Sequence, residues 1–239
     1  MVVNLLDVEI DALDLAGTVE LINGYMERKQ PCFVITANPE LLYNAQFDPA
    51  LLELVRRADV VTADGIGVVW ASQRAGNPVP GRVTGIDLMI SLIKRAATEN
   101  RSVFLLGSAP GVAVEAAAQL CRDYPGLRIA GVWHGYFTGK EEDEVAAKVC
   151  AAKPDLLFVA LGAPKQEWWI DKYLPAIGPV TAVGVGGSLD VLSGRVLRAP
   201  DWTQRMHCEW LYRLLKDPGR WRRQAVLPRF AWLVLKKYK

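Results

Sequence analysis

What this sequence of 239 residues lacks narrows its chemistry at once. Histidine is scarce: His134 and His207 are the only two. Neither HExxH nor GxSxG occurs, which removes the zinc-hydrolase and nucleophile-elbow routes. A Ser-His-Asp triad would have to use one of the two histidines. His134 follows Trp133 at an expected strand end, where structural or ligand-orienting use fits better than activation of a nucleophile. The four cysteines, Cys32, Cys121, Cys150 and Cys208, form no CxxC pair and no ligand spacing, so they read as small buried hydrophobes in a reduced compartment. There is no Asp-x-Asp pair to hold a divalent metal against a diphosphate. GxGxxG and GxxxxGK[ST] are also missing, which leaves a nicotinamide or P-loop protein with little support. No apolar run approaches the roughly eighteen residues of a membrane span. The opening Met1-Val2-Val3-Asn4-Leu5-Leu6-Asp7 has no basic stretch of the signal-peptide kind, so a cytoplasmic protein is expected.

What is present is a core-forming composition, 51% apolar and 23% charged, long enough for one ordinary domain plus an appendage. The net charge of +2 conceals a division. Residues 195–239 hold twelve Lys/Arg and three Asp/Glu, whereas 1–194 hold sixteen basic and twenty-three acidic side chains. Four of the eight tryptophans (Trp202, Trp210, Trp221 and Trp232) also fall in the last stretch. An acidic body, 1–194, is thus expected to precede a basic, Trp-rich helical appendage, 195–239. The closing run Pro228-Arg229-Phe230-Ala231-Trp232-Leu233-Val234-Leu235-Lys236-Lys237 is too short to span a bilayer but suits its interface. Its plain alternative is an amphipathic helix packed on the body. Nucleic-acid binding, the other use of basic plus aromatic residues, is disfavoured by the acidic body and the lack of a recognition module.

Along the chain, short apolar runs alternate with helical patterns. Strands are expected at 32–35, 60–62, 102–106, 127–133, 155–160 and 179–185, and an edge strand or hairpin within 1–15. Helices are expected at 18–28, from Asn38-Pro39 with a pause at Asp48-Pro49 and on to 58, at 66–73, at 85–97 capped by Thr84, up to 122, at 139–152, at 204–215 and at 228–237. This is an α/β fold, a Rossmann-like mostly parallel sheet with helices on both faces, followed by the appendage. The polar and Gly-rich segments all follow strand carboxyl ends, the edge at which open α/β sheets bind ligands.

One stretch organises the rest: Val60-Val61-Thr62-Ala63-Asp64-Gly65, a buried strand running into a lone carboxylate with a glycine behind it. Asp64 either caps the helix beginning near Ile66 or faces the crevice as its chemical centre. Two Gly-rich loops, Gly107-Ser108-Ala109-Pro110-Gly111 and Gly184-Val185-Gly186-Gly187, lie between a strand and a helix, where backbone N–H groups favour an anion. The plain alternative for each is a tight turn with close strand–helix packing.

Several of these pieces together resemble the WecG/TagA/CpsF glycosyltransferases: Thr36-Ala37-Asn38-Pro39-Glu40, Ala63-Asp64-Gly65, Gly162-Ala163-Pro164-Lys165-Gln166-Glu167, Gly184-Val185-Gly186-Gly187, Arg198-Ala199-Pro200 and Glu209-Trp210. The resemblance runs from about Val8 to Leu235 in the right order. It implies an inverting transferase that needs no metal and no cofactor. Such enzymes move an N-acetylhexosamine or related sugar from UDP to a polyprenyl-diphosphate-linked sugar at the inner face of the cell membrane. TagA-like members transfer N-acetylmannosamine to undecaprenyl-diphosphate N-acetylglucosamine in wall teichoic acid synthesis. UDP-N-acetylmannosamine uronic acid and UDP-glucose are alternative donors within the family, and a nucleotide-binding protein without transferase activity is the alternative outside it. The resemblance makes Asp64 the catalytic base with Thr36 beside it. It puts Asn38, Arg82, Gln166, Lys165 and Gly65 on the substrate side. The nucleotide side is Gly107, Gly162, Gly186, Gly187, Tyr136 and Asp190, with Arg213, Arg220 and Arg223 of the appendage over the diphosphate. Partial burial at a strand tip would raise the pKa of a carboxylate and make it a better base. Where the family has Gly-Leu before Glu-Trp, this chain has His207-Cys208. No nucleic-acid partner is expected; self-association is expected to cover the apolar appendage away from the membrane.

Overall fold

The structure is a computed structural model that describes residues 2–200, 203, 212, 221 and 225–238. The chain opens with a hairpin, β1 (Val2–Leu5) and β2 (Val8–Asp11), followed by α1 (Leu15–Glu27) and β3 (Cys32–Ala37). Next come α2 (Pro39–Ala45), α3 (Pro49–Arg56), β4 (Val60–Ala63), α4 (Ile66–Arg74) and α5 (Gly85–Thr98). The second half runs β5 (Ser102–Gly107), α6 (Val112–Asp123), β6 (Arg128–Trp133), α7 (Lys140–Ala152), β7 (Leu156–Ala160), α8 (Lys165–Ile177), β8 (Thr181–Gly184) and α9 (Ser188–Leu192). The last described helix is α10 (Val226–Lys237). The expected helix at 204–215 lies outside the described residues.

Six strands form one parallel sheet in the order β4-β3-β8-β7-β5-β6. Parallel strands covered on both faces must be apolar throughout, and β3 (CFVITA) and β7 (LLFVA) are buried at every position. Alternate residues serve two cores. Phe33, Ile35 and Ala37 face one with Leu42 of α2, Leu54 of α3, Val68 of α4, Trp169 of α8 and Phe230 of α10. Cys32 and Val34 face the other with Ile22 of α1, Met89 of α5 and Leu120 of α6. Helices thus lie on both faces, as the alternation of the sequence requires.

The local signals act as expected. Asn38, Asp48 and Thr84 each accept a backbone N–H as N-caps, two of them with Pro at the first helical position. Two elements have no sequence counterpart: the short α9 and α8, whose internal Pro175 lacks the N–H that would bond the carbonyl four residues before it. Two further features bear on the crevice. The edge strand β4 is covered by the hairpin, and Val61 N donates to Asp11 Oδ2 at 2.9 Å. The helix α10 packs against α2 and α4 through buried Phe230 and Val234, and its end is tied to the hairpin by Leu6 N donating to Tyr238 Oη at 2.7 Å and by Lys237 to Asp7.

Gly107 shows how tightly the carboxyl edge is built. Its φ is +130°, and a Cβ there would lie 2.4 Å from the Ala160 carbonyl oxygen. Gly107→Ala is expected to destabilise the fold by about 3 kcal/mol or more through combined strain and clash, read as a lowered denaturant midpoint.

Candidate active site

The neighbouring carboxyl ends of β4, β3 and β8 carry one half of the expected site. Asp64 follows β4, its N–H donating to Ala37 O at 2.8 Å, so β3 and β4 remain in register up to the tip. The helix behind it is capped by Gly65, with φ +100° and no side-chain cap. Asp64 is therefore not the cap of α4. Its half-buried carboxylate instead accepts from Gly85 N at 3.4 Å, in the first turn of α5. That N–H is one of the donors a helix start leaves open, and it makes a long contact with the carboxylate at the tip. Gly85 also lets α5 come close: a Cβ there would lie 3.3 Å from Thr36 Oγ1.

Thr36 is buried and donates to Gly184 O at 3.1 Å, joining β3 to β8. Asn38 is half-buried, and its Oδ1 accepts from Leu41 N at 2.9 Å, so its carbonyl oxygen serves α2. Arg82 is half-buried in the loop that leads to Thr84. Gln166 is only 3% exposed. Its Oε1 accepts from Gly186 N at 2.9 Å, and its Nε2 donates to Glu167 Oε1 at 2.8 Å, so both ends of the amide are engaged inside the protein. Lys165 is exposed, with its ammonium 5.5 Å from the centre of the Phe137 ring.

The other half is built on β5, β7 and the start of α9. Ser108, with φ +56°, donates from its hydroxyl to Asp190 Oδ2 at 3.0 Å and from its N–H to Ala160 O at 2.9 Å. Gly107, Gly162 (φ +78°) and Gly186 (φ +53°) are all in conformations that favour glycine, so the tight-turn explanation holds for each whatever ligand is bound. Tyr136 is 70% exposed at the rim, its N–H donating to His134 Nδ1 at 3.3 Å, which gives His134 a turn-holding place. The turn 184–187 joins the halves: Gly184 takes Thr36, Gly186 takes Gln166, and Gly187 leads into Asp190. Arg195 pairs with Glu115 at 2.6 Å, and Arg198 pairs with Asp87, which fastens the segment 195–200 to α6 and α5. Arg213, Arg220 and Arg223 lie outside the described residues.

Sequence reasoning missed Ser108, the Gly85 N–H and Glu167. A polar residue directly after a strand-ending glycine was the available signal for Ser108; nothing local marks Gly85 as a partner of Asp64. Glu167 is 1% exposed, and among the described residues its Oε2 has no hydrogen-bond partner. Burial pushes its carboxyl up to about 7, against the smaller opposing effects of the Gln166 amide and its own backbone N–H.

Fold and site define the class: an open parallel α/β protein with its polar and Gly-rich turns at the carboxyl edge of the sheet, the edge at which such folds bind ligands. Comparison with known proteins carries this further. The profile of the glycosyl transferase WecG/TagA/CpsF family matches residues 3–239. A relative from Bacillus spizizenii strain W23 is 43% identical over 212 residues, 89% of this chain and 82% of the relative. One from Bacillus subtilis strain 168 is 35% identical, covering 90% and 83%. One from Staphylococcus aureus strain MW2 is 36% identical over 236 residues, 98% and 92%. All three are named N-acetylglucosaminyldiphosphoundecaprenol N-acetyl-beta-D-mannosaminyltransferase. The chain belongs to the WecG/TagA/CpsF glycosyltransferase family. It is accordingly a hexosyltransferase, as the motifs implied.

The Glu167 carboxyl gives a stability prediction. The folded chain keeps a proton on Glu167 up to about pH 7, whereas the unfolded chain releases it near its ordinary value of 4.5. Stability therefore falls as pH rises from about 4.5 through 7. Thermal midpoints of the wild type and Glu167→Gln across that window should diverge, with the variant gaining relative to the wild type as pH rises.

Proposed function

We propose that this chain transfers N-acetylmannosamine from UDP-N-acetylmannosamine to the 4-hydroxyl of N-acetylglucosamine-diphospho-undecaprenol, by inversion and without a metal. The observation that carries the mechanism is the Asp64 carboxylate, held at the tip of β4 by the start of α5 and not spent on capping α4. The names of the relatives support the donor sugar and the acceptor.

Asp64 takes the proton of the acceptor hydroxyl as that oxygen attacks the anomeric carbon. The bond from carbon to the UDP oxygen breaks on the opposite face, and its electron pair leaves with the diphosphate. Thr36 and Gln166 hold the turn 184–187 on which the nucleotide side depends. Asn38, Arg82, Lys165 and Gly65 meet the sugars. Gly107, Gly162, Gly186, Gly187, Tyr136 and Asp190 take the nucleotide, and Arg213, Arg220 and Arg223 offset the charge that develops on UDP. Asp64→Asn should lower turnover by about 10²–10⁴-fold while UDP affinity by calorimetry stays nearly unchanged; full turnover would sink the base assignment.

We assign residues 1–194 to catalysis and 195–239 to peripheral attachment at the inner membrane face. Among the described residues no helix is long and apolar enough to cross a membrane. Support for attachment comes from a groove of about 450 Å³ between α2 and α10, lined by Tyr43, Phe47, Pro228, Arg229, Trp232 and Leu233. Phe47 and Trp232 are 67% and 64% exposed there, and Lys236 and Lys237 stand nearby in α10. Away from a membrane the same face is assigned to self-association. Because Phe230 is buried on α10, point changes test attachment more cleanly than deletion. Phe47→Ser with Trp232→Ser should weaken binding to anionic vesicles by about tenfold or more with the thermal midpoint unchanged; equal binding would remove this face from the membrane role. A panel of UDP-sugars with a short-chain lipid acceptor is expected to favour UDP-N-acetylmannosamine over the uronic acid and glucose donors.

A further inference from the structure

We propose that Glu167 is a positioning residue of the transfer reaction, acting through Gln166 to set the turn 184–187 that joins the two halves of the crevice. The proposal rests on the transferase activity above. Its geometry is a short relay. Gln166 Nε2 donates to Glu167 Oε1 at 2.8 Å, and Gln166 Oε1 accepts from Gly186 N at 2.9 Å. The amide lies so close to β8 that a Cβ at Gly184 would be 2.6 Å from Gln166 Nε2. On the other side of the same turn, Thr36 Oγ1 donates to Gly184 O at 3.1 Å. The turn is thus gripped by one residue of the β3 tip and one of α8.

An amide has one accepting end and one donating end. Gly186 N–H needs the accepting end, so the donating end must face Glu167. An ionised carboxylate only accepts, and it enforces that orientation. A protonated carboxyl carries an O–H that can donate to the amide oxygen. The Gln166 amide can then turn over and present its NH₂ to Gly186 N–H, donor against donor, and the turn is released. A purely structural site would be served as well by a neutral side chain. Here, among the described residues, the second oxygen of Glu167 is buried with no partner and no cation acts on its carboxyl.

The surroundings bear this out. The helix α8 packs on β3, β7 and β8, which bring apolar residues and the neutral Thr36 and Thr181, and on α3 and α7. The charges of α3 and α7 meet the outer side of α8: Arg57 pairs with Asp171, Glu142 and Asp143 with Lys172, and Asp143 also accepts from Tyr173 Oη. Lys165 is exposed beside Phe137. Among the described residues Glu167 is thus raised to about 7 by burial, opposed only by the Gln166 amide and its own backbone N–H.

Steady-state turnover of the full chain, measured from pH 5.5 to 8.5 with the UDP-sugar and a short-chain lipid-linked acceptor, tests the relay. Wild-type kcat should fall about tenfold from pH 8 to 6 on one ionisation. Glu167→Gln, neutral and able to donate like the protonated acid, should lose that limb and hold kcat near the wild-type low-pH value. Glu167→Ala should have lowered kcat at every pH, with the donor KM changed less than kcat. A second readout needs no turnover: the Gly186 amide resonance of the substrate-free protein should titrate with the same midpoint in the wild type and stay flat in Glu167→Gln. Persistence of the wild-type limb and titration in Glu167→Gln, or wild-type kcat in Glu167→Ala, would overturn the proposal. Absence of transfer with every donor would instead refute the transferase assignment, and the Gly186 titration would still decide the relay. If Glu167→Ala fails to fold, Glu167→Gln and the amide titration carry the test.

Discussion

Six strands running the same way impose one constraint on the whole molecule. Every carboxyl end lies on one edge, and every connection must cross a face before the next strand begins. The crossing helices need apolar contact on both faces, so β3, β4, β5, β7 and β8 are buried throughout, and only the edge strand β6 is partly open. Function is left to the first residues after each strand. Asp64 follows β4, Asn38 follows β3, Ser108 follows β5 and the turn 184–187 ends β8.

That placement makes the β8 turn the hinge of the site. In sheet order β8 stands between β3 and β7. Its turn reaches one half of the crevice through Thr36 and Gln166 and the other through Asp190 and Ser108. The two halves are separated in sequence, one belonging chiefly to β3 and β4 and the other to β5 and β7. The missing side chain at Gly184 lets the Gln166 amide approach, and Gly186 supplies a φ of +53°. The remaining work we assign to the acidic body for geometry and to the basic appendage for phosphate and lipid surfaces.

Much of this was legible in the residues. The apolar runs gave the main-sheet strands, and Asn38-Pro39, Asp48-Pro49 and Thr84 marked helix starts because their capping chemistry is local. The position of Asp64 at a strand tip was legible for the same reason, but its partner was not. Gly85 lies twenty-one residues further on, in a helix brought close only by the absence of a side chain against Thr36. The sheet order is equally long-range. The helix α8 escaped notice because Pro175 and mixed polarity obscure its period, although the proline falls in the last turn. Glu167 was hidden by the ordinary expectation that a glutamate in a polar motif faces water. The amide of Gln166, expected in the pocket, proves to be engaged on both ends, which no local pattern announces.

The hairpin over β4 has a consequence for how the protein keeps to itself. β4 is an edge strand, and an open edge invites another chain to extend the ladder. Here the Val61 N–H is occupied by the Asp11 carboxylate, a side chain that offers no ladder of its own to continue. Burial raises the Asp11 carboxyl above its ordinary range. In acid the guard is therefore among the earlier carboxylates to lose its charge. The strand that presents Asp64 to the crevice would then be the place where foreign strand pairing begins.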